Sequence, residues 1–141
     1  MNVITIGLPT PPAILNPNKT IGSRGGRMAK ARAIKIARKH AADWARISML
    51  ERQIAPPPRW SNVSVRCLFF YPTRRRRDKD NALASMKAYF DGIADSGLVA
   101  NDSAMTFEPV ELLVDKMLPR VEVVITNLEV SSEVPQEAGG G

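Results

Sequence analysis

The first segment with a clear pattern is residues 3–6, Val-Ile-Thr-Ile, a β-branched run that predicts a short strand. It stops at Leu8-Pro9-Thr10-Pro11-Pro12, which holds neither a ladder nor a helix interior. Asn16-Pro17-Asn18 and the glycines between 22 and 26 predict a polar loop. Residues 28–52 contain no Gly or Pro and predict a long helix, with Ile34, Ala37, Ala41, Trp44, Ile47 and Leu50 recurring at three- and four-residue steps as its apolar stripe. Residues 62–71 are the clearest strand. Val63, Val65, Cys67 and Phe69 alternate with Ser64, Arg66, Leu68 and Phe70, and the run becomes apolar on both faces, as an inner strand would. A second helix is expected from an N-cap at Asp80 or Asn81 to Ser96, with Leu83, Met86, Phe90, Ile93 and Ala94 inward and Gly97 as its stop. Residues 110–114 and 121–126 predict two closing strands, joined as a hairpin through Pro119-Arg120. Residues 131–141 are small, polar and glycine-ended and predict a disordered tail.

These elements predict one α+β domain over residues 1–130, a mixed sheet packed by two main helices. The length of 141 residues is enough to bury a core without staples. A single cysteine, Cys67, excludes an internal disulfide and a thiolate zinc site, and on its strand it reads as a small core residue. A single histidine, His40, weighs against His-based catalysis. No apolar run reaches the length of a membrane span, and the first residues lack a secretion signal, so a cytoplasmic protein without membrane association is expected.

Charge changes the picture. The net charge of +6 hides an asymmetry: through Lys87 there are 18 Lys and Arg against four acidic residues, and beyond it two against ten. Basic surface attracts phosphate backbones through counterion release, which raises nucleic acid as a partner; the bland reading is a solvated helix face. For the first helix, whose Arg32, Lys35, Lys39 and Arg46 fall largely off the apolar stripe, the solvated face is the stronger reading, with Lys30, Arg32 or Lys35 as candidate contributors to DNA binding. The glycine-rich segment at 22–27 lacks the Gly-Lys-Ser/Thr ending of a phosphate-cradling loop.

The chemistry concentrates in Arg74-Arg75-Arg76-Arg77-Asp78-Lys79-Asp80-Asn81. Four consecutive arginines repel one another and call for a counter-anion. Lying between a core strand and an amphipathic helix, they are not a solvated tail. In an extended chain Asp78 and Asp80 point to one side, where two hard carboxylates can hold Mg²⁺ or Mn²⁺. The alternative makes Asp80 a helix cap and Asp78 an ion-pair partner of the arginines. Asp80, Lys87 and Asp91, spaced by seven and four, would share one face of a continuous helix. Lys87 and Asp91 could equally form an i, i+4 pair. Asp102 sits in a loop that could return beside Asp78, completing a three-carboxylate magnesium centre for phosphodiester hydrolysis; its plain reading is an Asx turn.

In order and spacing these segments resemble the RusA family of Holliday junction resolvases, small endonucleases common in bacteriophages and prophages. The resemblance rests on LPTPPAILNPN after the first strand, a long basic helix, the arginine run ending in RDKDN, then KAYFDGIADSGLV and ND, and covers roughly residues 3–127. It implies a Mg²⁺-dependent homodimer that cuts four-way DNA junctions in recombination and repair, within a bacterial host cell. By the same resemblance Asp78, Asp80 and Asp102 match the metal carboxylates, Lys87 the catalytic lysine, and Arg77 a DNA contact beside Arg74, Arg75 and Arg76. The chain departs from the family at Asn101, where an Asp is frequent, and in the spacing of Lys87, seven residues after Asp80 where some members have four. The alternative reading is a branched-DNA-binding protein of the same fold without catalysis. A metal-dependent enzyme for small phosphate compounds is a third, and would not require so basic a first part.

Overall fold

The computed structural model describes residues 2–17 and 22–129. The chain runs β1 (Val3–Leu8), a 3-10 turn (Ala13–Leu15), α1 (Arg24–Glu51), β2 (Val63–Tyr71), α2 (Lys79–Ala84), α3 (Lys87–Asp95), a second 3-10 turn (Asp102–Ala104), β3 (Met105–Phe107), β4 (Glu111–Val114) and β5 (Arg120–Asn127). The strands form one mixed sheet with β2 at its centre, so the fold is α+β as expected. The tail expected at 131–141 lies outside the described residues.

On one side β2 pairs antiparallel with β5, with Cys67 opposite Val123, and β5 pairs antiparallel with the edge strand β1, with Ile4 opposite Ile125. On its other side β2 pairs in parallel with β3 and then β4. The expected hairpin is therefore absent: β4 and β5 flank β2 on opposite sides. A turn at 119–120 suits a hairpin locally. Pairing on both edges gives the backbone N–H and C=O groups of β2 partners on each side, while one face of the strand is buried and the other stays partly exposed.

Alternation is obeyed throughout. Ile4, Ile6, Val63, Val65, Cys67, Phe69, Val121, Val123 and Ile125 are essentially inaccessible and face the helices. Burial pushes the Cys67 thiol up to about 12, which leaves it a core residue without nucleophilic character.

The long helix starts earlier than its sequence suggests. Ser23 caps it by accepting from the Gly26 N–H at 3.0 Å, so Arg24, Gly25 and Gly26 form its first turn. Its buried face is also different. Ala37, Ala41, Ala42, Ala45 and Met49 face inward, whereas Ile34, Trp44, Ile47 and Leu50 are exposed. The reason is the close approach of α3. A Cβ at Gly92 would overlap the Arg38 carbonyl oxygen and meet Ala41 Cβ at 2.9 Å. At that separation only small side chains fit, and the large apolar residues take the outer face.

Candidate functional site

The ladder of β2 ends at Tyr71, and Pro72 prevents its continuation. The four arginines follow as an irregular link. Arg74, Arg75 and Arg76 are exposed, and Arg77 is half-buried with its guanidinium 3.7 Å above the Tyr71 ring. Arg77 also donates to the Thr73 carbonyl at 3.4 Å. Among the described residues, none of the ion pairs involves these four arginines.

The next residue, Asp78, caps α2. Its Oδ1 accepts from the backbone N–H groups of Asp80 at 2.9 Å and Asn81 at 3.3 Å. Asp78 thus takes the cap expected of Asp80 or Asn81, and Asp80 lies in the first helical turn. The geometry expected of an extended Asp-x-Asp does not hold, because the chain turns helical between the two carboxylates. Both stay exposed at the start of one helix. Asp80 faces a shallow depression shared with Leu83, Phe107 and Glu108.

The expected second helix is two helices. The chain breaks at Ser85 and Met86, with Met86 buried completely between α2 and α3. Lys87 therefore opens α3, and the seven-residue step from Asp80 does not return to one helix face. Lys87 pairs with Asp91 at 3.5 Å, the structural alternative weighed for it, and its side chain is 76% exposed.

Gly97, at φ 86°, ends α3 in a conformation that suits glycine, and the chain then runs along the 59–60 segment. Arg59 and Trp60 donate to the carbonyls of Gly97 and Leu98, and Ala100 donates to that of Trp60. This clamp delivers Asn101 and Asp102 to a cleft lined also by Lys87, Asp91, Asp95 and Arg38. Asp102 thus joins Lys87 and not Asp78. Among the described residues, no three His, Cys, Asp or Glu side chains form a group that could hold a metal ion. The Asn101 side-chain oxygen accepts from the Ser103 hydroxyl.

On α1, Lys30 is half-buried beside Lys87 and Asp91, while Arg32 and Lys35 are exposed. Arg38 was not among the expected site residues. Its guanidinium bonds Asp95 with both prongs, at 2.6 and 2.9 Å, and holds that carboxyl below the usual carboxylate range. The available signal was a charged residue within the small-residue stripe of Ala37, Ala41 and Ala45. Tyr71 was also missed. Burial raises its phenol against the opposing charge of Arg77, and only the fold reveals that contact.

No protein-family model matches the chain. A protein of Xylella fastidiosa, described as uncharacterized, is 30% identical over 141 residues, covering 97% of this chain and 82% of that one. The chain belongs to the same family as that protein. A cyanuric acid hydrolase from A. caulinodans aligns in structure over 89% of this chain at 17% identity, with a TM-score of 0.39. That score is too low to establish a shared fold, and the chain spans only 38% of that structure. Among the described residues no helix is long and apolar enough to cross a membrane.

Proposed function

We propose that the protein is a Mg²⁺-dependent, structure-specific endodeoxyribonuclease that cuts four-way DNA junctions by phosphodiester hydrolysis. The observation that carries this reading is the juxtaposition of four arginines that have no ion pair among the described residues and two exposed carboxylates, Asp78 and Asp80, at the start of one helix. Phosphate is the natural counter-anion of such a run, and phosphate contacts position DNA without reading its sequence.

Magnesium is commonly held by one or two carboxylates together with substrate phosphates. Asp78, through Oδ2, and Asp80 are donors of that kind. Asp102 is not gathered with them, so the donor set fits an open site completed by substrate and not a preformed three-carboxylate cage. Magnesium (or manganese) in such a site supplies positive charge that polarises the phosphoryl oxygen.

The remaining roles belong to the chain. Arg74, Arg75 and Arg76 hold the backbone, with Lys30, Arg32 and Lys35 extending the basic surface along α1. The pair between Lys87 and Asp91 is long and exposed, so the ammonium can exchange Asp91 for a phosphate oxygen and balance charge there. A four-way junction has near-twofold symmetry and requires two cuts, and a C2 homodimer supplies two copies of this segment.

A second reading is a branched-DNA-binding protein without catalysis. The observation favouring it is the separation of Asp102 from Asp78 and Asp80. One experiment divides the two readings: incubate a labelled four-way junction and a matched duplex with Mg²⁺, Mn²⁺ or EDTA, alongside Asp80→Asn. Paired symmetric nicks on the junction, lost with EDTA and in the variant, support the nuclease. Tight junction binding with no cut in either metal leaves the binding protein.

A further inference from the structure

A pocket of about 270 Å³ opens beside the arginine run, between the proline loop after β1 and the start of α2. Pro11, Pro12 and Ala13 form one wall, and Tyr71, Arg77 and Asn81 the other. Its floor continues the core. The Phe69 ring, fully buried, lies nearly parallel to that of Tyr71, with centroids 6.1 Å apart and 8° between planes. The Arg77 guanidinium carbon lies 3.7 Å from the Tyr71 ring centroid, a cation–π contact at the aromatic surface.

The geometry points to an unpaired nucleobase as the occupant, taken from the strand whose phosphates lie on the neighbouring arginines. This inference rests on the DNA reading above and deepens it, because it says how a branch would be told from a duplex.

Two features favour a base over a second phosphate. Pro11, Pro12 and Tyr71 bring rings to the lining among polar neighbours, as a base with an apolar face and polar edges requires. A guanidinium fixed on an aromatic ring presents its other face for stacking, a common way of holding unstacked bases. The positive charges of Arg75 and Arg76 stand at the same pocket, where the phosphates flanking an extruded base would lie. A base inside a duplex stays stacked, whereas bases at a junction's branch point cost less to unstack. The pocket therefore rewards branched DNA selectively.

The test uses the full chain, anisotropy with a four-way junction and a matched duplex over a salt series, and 2-aminopurine at branch-point or arm positions. Two variants are compared with wild type. Arg77→Lys keeps the charge and removes the plane; Ala13→Trp fills the pocket from an exposed position. The expected result is a loss of junction affinity of roughly tenfold in each, the size of one stacked base. Duplex affinity and the salt slope should stay near wild type in Ala13→Trp. The 2-aminopurine response should occur at the branch point alone and vanish in Ala13→Trp. Equal losses on junction and duplex, or a branch-point response that survives Ala13→Trp, would overturn the pocket while leaving the DNA reading in place. Wild-type protein that binds no DNA overturns both.

Discussion

Two basic regions of this molecule differ in how their cations are used. On α1, Arg38 is bonded to Asp95, and Lys39 and Arg46 both reach Asp43, at 2.8 and 3.3 Å. The link between β2 and α2 places four arginines in sequence with no ion pair among the described residues. Three of the eight Lys and Arg on α1 are answered by carboxylates within the fold. None of the four on the link is, among the described residues. The pattern of acidic partners separates the two regions.

The largest effect that would break this comparison concerns catalysis. Asp80→Asn should abolish junction cleavage, at least a hundredfold in rate, with binding retained. Cleavage that survives the substitution would remove Asp80 from the site. The link itself comes next. Replacing Arg74, Arg75 and Arg76 by Gln should lower the slope of log affinity against log salt by about 2.7, near 0.9 per phosphate contact. Lys39→Gln should leave that slope unchanged. Equal slopes for the two variants would erase the distinction between the regions.

Gly92→Ala tests the frame on which α1 sits. A Cβ there meets backbone and Ala41, so a loss of about 1–3 kcal/mol is expected, read as a lower urea midpoint. A midpoint equal to wild type would show that α1 and α3 can separate without cost. The smallest expected effect is on acid stability. Asp95 has its folded pKa lowered chiefly by the hydrogen bond from Arg38. Its contribution is therefore present above the ordinary aspartate value near 3.9 and is lost as pH falls through the lower folded value. Both side chains are 40–50% exposed, so water screens the pair and the loss is small. A urea midpoint followed from pH 5 downward should fall less steeply in Asp95→Asn than in wild type.

Much of the scaffold was legible in the chain. The alternation in β2 marked a central strand because one face meets the helices and both edges are paired. The stop at Gly97 was legible because a positive φ suits glycine. Other features were hidden for identifiable reasons. A run without Gly or Pro from 80 to 91 concealed the break at Ser85, since nothing local distinguishes one helix from two in line. The large residues of α1 suggested a core stripe, but Gly92 brings α3 too near for them. Asp80 or Asn81 was the cap expected on paper, and the two backbone bonds to Asp78 move it to Asp78.

For the candidate site, the chain alone located the arginine run and the carboxylates beside it, because neighbours in sequence remain neighbours in space. It also set the apolar face of β1, β2 and β5, which depends only on a period of two. Where Asp102 would land could not be read that way. Its place depends on the bonds between the segments around 60 and 100, and on β3 choosing the side of β2 opposite β5. The same holds for the neutralisation of Arg38 by a carboxylate 57 residues away. Periodicity shows which face a residue presents, but not which distant segment comes to meet it; that is set by how the elements pack.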